Sequence, residues 1–174
     1  MNDCIETIVL RAARLSDMEQ IARIYAHYVT HTTVTFETEP PSIDELERRY
    51  RDIWVAGTPY LVALEGDTIL GYAYAAPFKA RAAYRYTLEH SIYLDPNAVG
   101  KGLGRKLLEQ LIETCSHLGF AEMLATIAGD DNHASLGLHA RCGFVPVGLL
   151  TRVGFKHDRW LNVTLMQRSL RAQS

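Results

Sequence analysis

The stretch Ile92-Tyr93-Leu94-Asp95-Pro96-Asn97-Ala98-Val99-Gly100-Lys101-Gly102-Leu103-Gly104-Arg105 carries a strand through a glycine-rich turn into a helix. Upstream, Thr87 to Leu94 reads as a long strand that runs into Asp95-Pro96. Downstream, Leu103, Leu107, Leu108, Leu111, Ile112, Cys115 and Leu118 recur at helical spacing, and Gly119 ends the run. Such a turn presents several backbone N–H groups at the positive end of the helix dipole, a seat for a phosphate or pyrophosphate. Its glycines let the backbone approach an anion closely, and Arg105 and Lys106 add charge.

Two nucleotide-binding patterns fail on this turn. No Gly-Lys-Ser/Thr occurs, and glycines at 100, 102 and 104 do not make GxGxxG. A glycine turn that serves only tight packing stays open as an alternative. Outward from the turn, Ile8 to Ala12 reads as a first strand. Ser16-Asp17-Met18-Glu19 has the form of a capping box, and Ile21, Ile24, Tyr25 and Tyr28 follow at helical spacing. A loop runs from His31 to Pro41. Ser42-Ile43-Asp44-Glu45 is a second capping box, with Leu46, Tyr50, Ile53 and Trp54 as the apolar stripe of its helix. Tyr60–Leu64 and Ile69–Ala76 form a hairpin around Glu65-Gly66-Asp67. Met123–Ile127 is a further strand, Asn132 caps a helix that stops at Gly143, and Phe144–Val147 and Trp160–Gln167 complete the strands.

The order is β-α-α-β-β-β-α-β-α-β-β over one domain, residues 1–174. The fold class is α/β of the mixed α+β kind, a mostly antiparallel sheet with helices on both faces. The chain has 174 residues, 48% of them apolar and 22% charged, enough for one sizeable core. Its net charge of −2, without a basic stripe, speaks against nucleic acid as a partner. No apolar run approaches the roughly 18 residues needed to span a bilayer, and Met1 to Glu6 is not a secretory signal. Cys4, Cys115 and Cys142 make neither a disulfide framework nor a metal pattern, so a cytoplasmic, metal-free protein is expected.

The segment Val99-Gly100-Lys101-Gly102-Leu103-Gly104 resembles the acetyl-CoA-binding signature of GNAT acetyltransferases, Gln/Arg-x-x-Gly-x-Gly/Ala, with Val99 in the place of Gln or Arg. Thr32–Pro41, Tyr84–Tyr93 and Gly154-Phe155-Lys156-His157 with Trp160 are similar to the branch of phosphinothricin and methionine sulfoximine acetyltransferases. The resemblance implies a GNAT fold and transfer of an acetyl group from acetyl-CoA to the α-amino group of a small, anionic, glutamate-like amino acid. Acetylation of a protein N-terminus or lysine, and a non-catalytic acetyl-CoA-binding module, are the alternatives. It also implies a homodimer.

An amine that is mostly protonated at neutral pH needs a base. Glu89, sharing one face of its strand with Thr87, Ser91 and Tyr93, is the candidate, its carboxylate expected to be desolvated among apolar neighbours; a solvated edge-strand glutamate is the competing reading. By the resemblance, Ile92, Tyr93 and Leu94 hold the pantetheine arm through main-chain groups, and Gly100, Lys101, Gly102, Leu103, Gly104 and Arg105 hold the pyrophosphate. Asn132 and Ser135 contact the cofactor, and His139 stands where the family has an acid for the leaving thiolate. Asn132 as a simple helix cap and His139 as a packing residue are the competing readings. Arg85 and Arg81 suit a carboxylate or phosphinate. Lys79, Phe36 and Lys156 are further substrate candidates, with Glu89, His90 and Ser91 on the strand itself.

Overall fold

In the computed structural model, which describes residues 8–171, seven strands and four α-helices follow in the expected order. The strands are β1 (Val9–Ala12), β2 (Tyr60–Glu65), β3 (Thr68–Pro77), β4 (Thr87–Leu94), β5 (Glu122–Ala128), β6 (Val145–Lys156) and β7 (Arg159–Ser169). The helices are α1 (Met18–His31), α2 (Ile43–Val55), α3 (Leu103–His117) and α4 (His133–Arg141). One sheet runs β1-β2-β3-β4-β5-β7-β6, antiparallel throughout except between β4 and β5. Cys4 and the segment Met1–Glu6 lie outside the described residues.

Helices cover both faces, as the element order implies. On one, Leu107, Leu108 and Leu111 of α3 are buried against Leu88, Met123 and Met166. On the other, Ile21, Ile24 and Val29 of α1 and Leu46 and Ile53 of α2 pack on Val62, Ile69 and Tyr72. Alternation along each strand supplies both faces at once, so the sheet is the common wall of two cores.

Local chemistry departs from the sequence reading at three places. Ser16 does not cap α1; a short 3₁₀ turn, Leu15–Asp17, precedes the helix. Asp17 accepts instead from the Arg14 amide at 2.7 Å and from the Arg11 guanidinium at 2.7 and 2.9 Å, which ties the turn to β1. The second box forms only in part: Ser42 Oγ accepts from the Glu45 amide at 3.2 Å, while the Glu45 carboxylate is drawn to Arg48 and Arg49. Trp54 is 74% exposed, one residue and hence about 100° round the helix from buried Ile53.

The hairpin β6–β7 is longer than the sequence suggests. His157 and Asp158 both take positive φ, +49° and +57°, and make a two-residue turn that lets β6 pair with β7 up to Lys156. Pro146 is tolerated because β6 is the edge strand, and two irregularities, at 146–148 and 150–154, bend it. Replacing Leu108 by Ala should cost about 2–5 kcal/mol, whereas Trp54→Ala should stay within about 0.5 kcal/mol. Urea unfolding of both variants checks this; equal losses would contradict the assignment of the core.

Candidate active site

β4 and β5 pair only from Thr87–His90 against Glu122–Ala125. Beyond His90 they separate, while β4 stays paired with β3 as far as Leu94. The main-chain groups of Ser91–Leu94 that face away from β3 therefore border a gap. A cavity of about 670 Å³ opens there, within the size range of small-molecule sites. Its walls include Ser91–Leu94, Ala125–Ile127, Asn132, Ser135 and His139, with Gly100, Gly102, Gly104 and Arg105 at one end. Most of the expected cofactor residues thus meet in one place. Lys101 is exposed on the turn and Leu103 is buried in the core beneath it; neither side chain lines the cavity.

Gly102 begins α3 with φ +76°, a left-handed conformation that costs other residues about 1–2 kcal/mol. Gly104 contributes close packing instead. A Cβ there would lie 3.3 Å from Leu94 Cδ1 and 3.5 Å from Leu138 Cδ2, so the helix N-terminus sits close on β4. Asp95 Oδ1 accepts from the Asn97 amide and side chain at 2.8 and 3.0 Å and braces the turn. The first N–H groups of α3 have no acceptor within the helix and point out of its N-terminus beside the cavity. Arg105 joins the wall with its Nε held by Glu109 at 2.7 Å.

Asn132 does cap α4: its Oδ1 accepts from the Ser135 amide at 3.3 Å and its Nδ2 donates to the Ala128 carbonyl at 3.2 Å. It lines the cavity as well, so the two readings of this residue coexist. His139 is buried, with Nδ1 2.7 Å from the Ser135 carbonyl and Nε2 3.1 Å from Nε2 of buried His90. A carbonyl only accepts, so His139 Nδ1 carries the hydrogen, and in a neutral ring Nε2 then accepts. His90 Nε2 must donate, which leaves His90 Nδ1 a buried acceptor without a partner among the described residues. Burial lowers the pKa of both rings; for His90, burial and the neighbouring His139 bring it to about 3. Both nitrogens of His139 are occupied, so neither is free to serve as an acid toward the cavity in this arrangement.

Glu89 lies one step nearer the closed end of the gap, half-buried, with Thr126 Oγ1 donating to its Oε1 at 2.5 Å. The full apolar enclosure expected of it is not found: Glu89 is paired with Ala76 and Leu124 on its two sides, but its carboxylate stays half-exposed with a hydroxyl as partner. Lys79, Arg81 and Arg85 are exposed on the loop between β3 and β4, which ends two residues before Glu89. Lys79 Nζ lies 5.0 Å from the centre of Phe78 and 5.6 Å from that of Tyr84, and Arg85 stacks on Tyr86 at 4.6 Å. None of these cations borders the cavity, although they flank the carboxylate's end of the strand. Phe36 and Lys156, both expected to meet substrate, are engaged with each other's elements: the Phe36 ring rests on Gly154, and buried Lys156 donates to the Thr35 carbonyl at 2.9 Å.

Sequence reasoning missed Tyr28, Val34 and Thr126 in the cavity wall. Tyr28 reads as part of the α1 stripe, and nothing in its spacing shows that its hydroxyl donates to the Leu94 carbonyl at 2.7 Å. Among the described residues, no group of three or more His, Cys, Asp or Glu side chains is placed to hold a metal.

Residues 10–165 match the acetyltransferase (GNAT) domain family, and the chain belongs to it. It is 47% identical over 163 residues to a phosphinothricin N-acetyltransferase of Alcaligenes faecalis, covering 94% of this chain and 83% of the relative. It is 37% identical to an L-methionine sulfoximine/L-methionine sulfone acetyltransferase of Salmonella typhimurium, covering 94% and 95%. Among solved structures, a phosphinothricin acetyltransferase of Sinorhizobium meliloti in complex with acetyl-CoA superposes with a TM-score of 0.90 at 44% identity, covering 94% and 88%.

The histidine pair makes acid sensitivity predictable. The folded state holds His90 neutral down to about 3, while an unfolded histidine takes up its proton near 6.5. Unfolding therefore binds protons in that window, and stability falls as pH drops from 6.5 toward 3. The urea midpoint of the wild type minus that of His90→Phe should fall as pH drops across this range; parallel curves would contradict it.

Proposed function

We propose that this chain is an N-acetyltransferase that moves the acetyl group of acetyl-CoA to the α-amino group of a small, anionic amino acid of the phosphinothricin, methionine sulfoximine or methionine sulfone type. The observation that carries the reading is the unpaired flank of β4. It runs from the exposed N–H groups at the α3 N-terminus to Ser91, two residues from Glu89 on the same strand. A bound pantetheine arm along it would act as an added strand, taking main-chain hydrogen bonds from Ser91–Leu94, with the pyrophosphate on the glycine turn. The names of the relatives support the substrate class.

Acetyl-CoA supplies the activated acetyl group. Glu89, hydrogen-bonded by Thr126, accepts the proton that the substrate ammonium must lose before it can attack. A main-chain N–H of Ile92–Leu94 donates to the carbonyl oxygen as negative charge builds on it; as the C–N bond forms the C–S bond breaks, and CoA leaves as the thiolate. Lys79, Arg81 and Arg85 present cationic groups at the Glu89 end, where a carboxylate or phosphinate would seek them. His139 we read as a positioning residue that holds α4 against β4 through Ser135 and His90.

The proposal extends to a homodimer built on the β6 edge. Val147, Leu149, Val153 and Phe155 on β6 and Trp160 on β7 are all at least half exposed, a clustering uncommon on a monomer surface. Cys115 and Cys142, free and buried, suit the reducing cytoplasm.

Thiol release from acetyl-CoA, measured with methionine sulfone, methionine sulfoximine, phosphinothricin and ordinary amino acids, should be fastest with the first three. No turnover with any amine, despite cofactor binding, would refute the reading. Glu89→Gln should lower kcat by roughly a hundredfold or more with acetyl-CoA affinity unchanged. Leu149→Glu should shift the sedimenting species from dimer to monomer; a monomeric wild type would remove the interface.

A further inference from the structure

The segment between α1 and α2 forms a roof whose inner side, at Val34, borders the main cavity. It has no regular structure of its own, so its backbone must find partners elsewhere. The Thr32, Val34 and Glu37 amides are met by α1 and by the segment's own hydroxyls, while two of its carbonyls are met by the end of the β6–β7 hairpin. Lys156 Nζ donates to the Thr35 carbonyl at 2.9 Å, and a ring nitrogen of His157 donates to the Thr32 carbonyl at 3.3 Å. Arg159 Nη2 donates to Thr33 Oγ1 at 3.1 Å. The Phe36 ring occupies the space over Gly154, where a Cβ would come within 2.3 Å of its carbons.

Lys156 is the unusual member of this set. It is 5% exposed, and burial lowers its pKa while the charge of Glu37 opposes that shift. Taking an ammonium out of water to serve one carbonyl is a costly way to pin a loop. The residue it pins is connected further inward. Thr35 Oγ1 and Tyr25 OH share a hydrogen bond at 2.9 Å, and the Tyr25 ring meets Tyr93, a cavity wall residue, edge-on at 5.0 Å between centres. Glu37, two residues on, is held by Arg49 of α2 at 2.5 Å. Pulled from both sides, Thr35 is fixed next to Val34, the residue of the segment that borders the cavity.

We infer that Lys156 is a positioning residue for the acetyl transfer: through Thr35 it holds the Val34–Phe36 roof over the reacting end of the cavity, so that the amino acid is gripped and water is kept from the thioester. Lys156 itself touches neither reactant. The inference rests on the acetyltransferase reading, but its first readout needs no turnover. In acetyl-CoA-loaded protein, Lys156→Met should raise amide hydrogen exchange at residues 33–37 by about tenfold, the loss expected for one charge-assisted hydrogen bond, with residues 99–105 unchanged. In turnover, the same variant should raise KM for the amine by about tenfold and raise acetyl-CoA hydrolysis without amine, while the acetyl-CoA Kd stays within about twofold. Lys156→Arg, which keeps a charged donor, should recover part of the KM. Gly154→Ala, which displaces Phe36 from the opposite side, should give the same signature and serves if Lys156→Met does not fold. Exchange at 33–37 equal to wild type, or a kcat loss with KM and hydrolysis unmoved, would overturn the inference. A wild type without turnover would defeat the acetyltransferase reading while the exchange result still decided the role of Lys156 in the roof.

Discussion

The separation of two parallel neighbours within a continuous sheet is the constraint on which the rest depends. β4 and β5 share four residue pairs and then part at His90 and Ala125. Strand groups left without a partner are normally a liability, because each buried N–H or C=O without a hydrogen bond costs about 1–3 kcal/mol. Here the gap opens into a cavity rather than into packed core, and one edge of β4 stays fully paired with β3. The site is thus a stretch of sheet prepared for one more strand. What fills it must be extended and must carry amide groups, and a pantetheine arm has both properties.

Placement of the chemistry follows from that opening. The crossover from β4 to β5 passes through the glycine turn and α3, so the N-terminus of α3 stands at the wide end of the gap. Glu89 stands at the narrow end, where Thr126 of the departing strand can still reach it. Alternation along β4 then sorts the remaining side chains. Leu88 and His90 point to the α3 and α4 side, where His90 meets His139, while Glu89 and Tyr93 face the α1 and α2 side. A single strand therefore carries the proposed base and the proposed main-chain donors.

Much of this was legible in the sequence because it rests on local signals. The α3 stripe, the glycine turn, the alternation of β4 and the Ser42 cap are written within a few residues of one another. The choices set by the path of the chain in space were not. Asp17 is taken by Arg11 on β1 and by the Arg14 amide, partners near in sequence whose approach depends on how the chain turns out of β1, and Ser16 does not cap the helix. In the long β6 strand Val145, Val147, Leu149, Val153 and Phe155 do alternate, but Pro146, Gly148 and Gly154 between them read as breaks, and the strand is exposed along nearly its whole length. Lys156 and Phe36 look like substrate groups in a linear motif; only the folded hairpin shows that they pack on the roof. Glu89 is flanked on both sides, by Ala76 and Leu124, yet its carboxylate stays half-exposed; how far the helices cover that face of the sheet is invisible in composition.

The most direct test of this account is the site-resolved hydrogen exchange of β4 amides with and without acetyl-CoA. Filling the gap with an added strand predicts new protection at those amides of Ser91–Leu94 that face β5, together with the first amides of α3, and little change at the β3-facing amides already paired. Protection elsewhere in the molecule, with these amides unchanged, would contradict it.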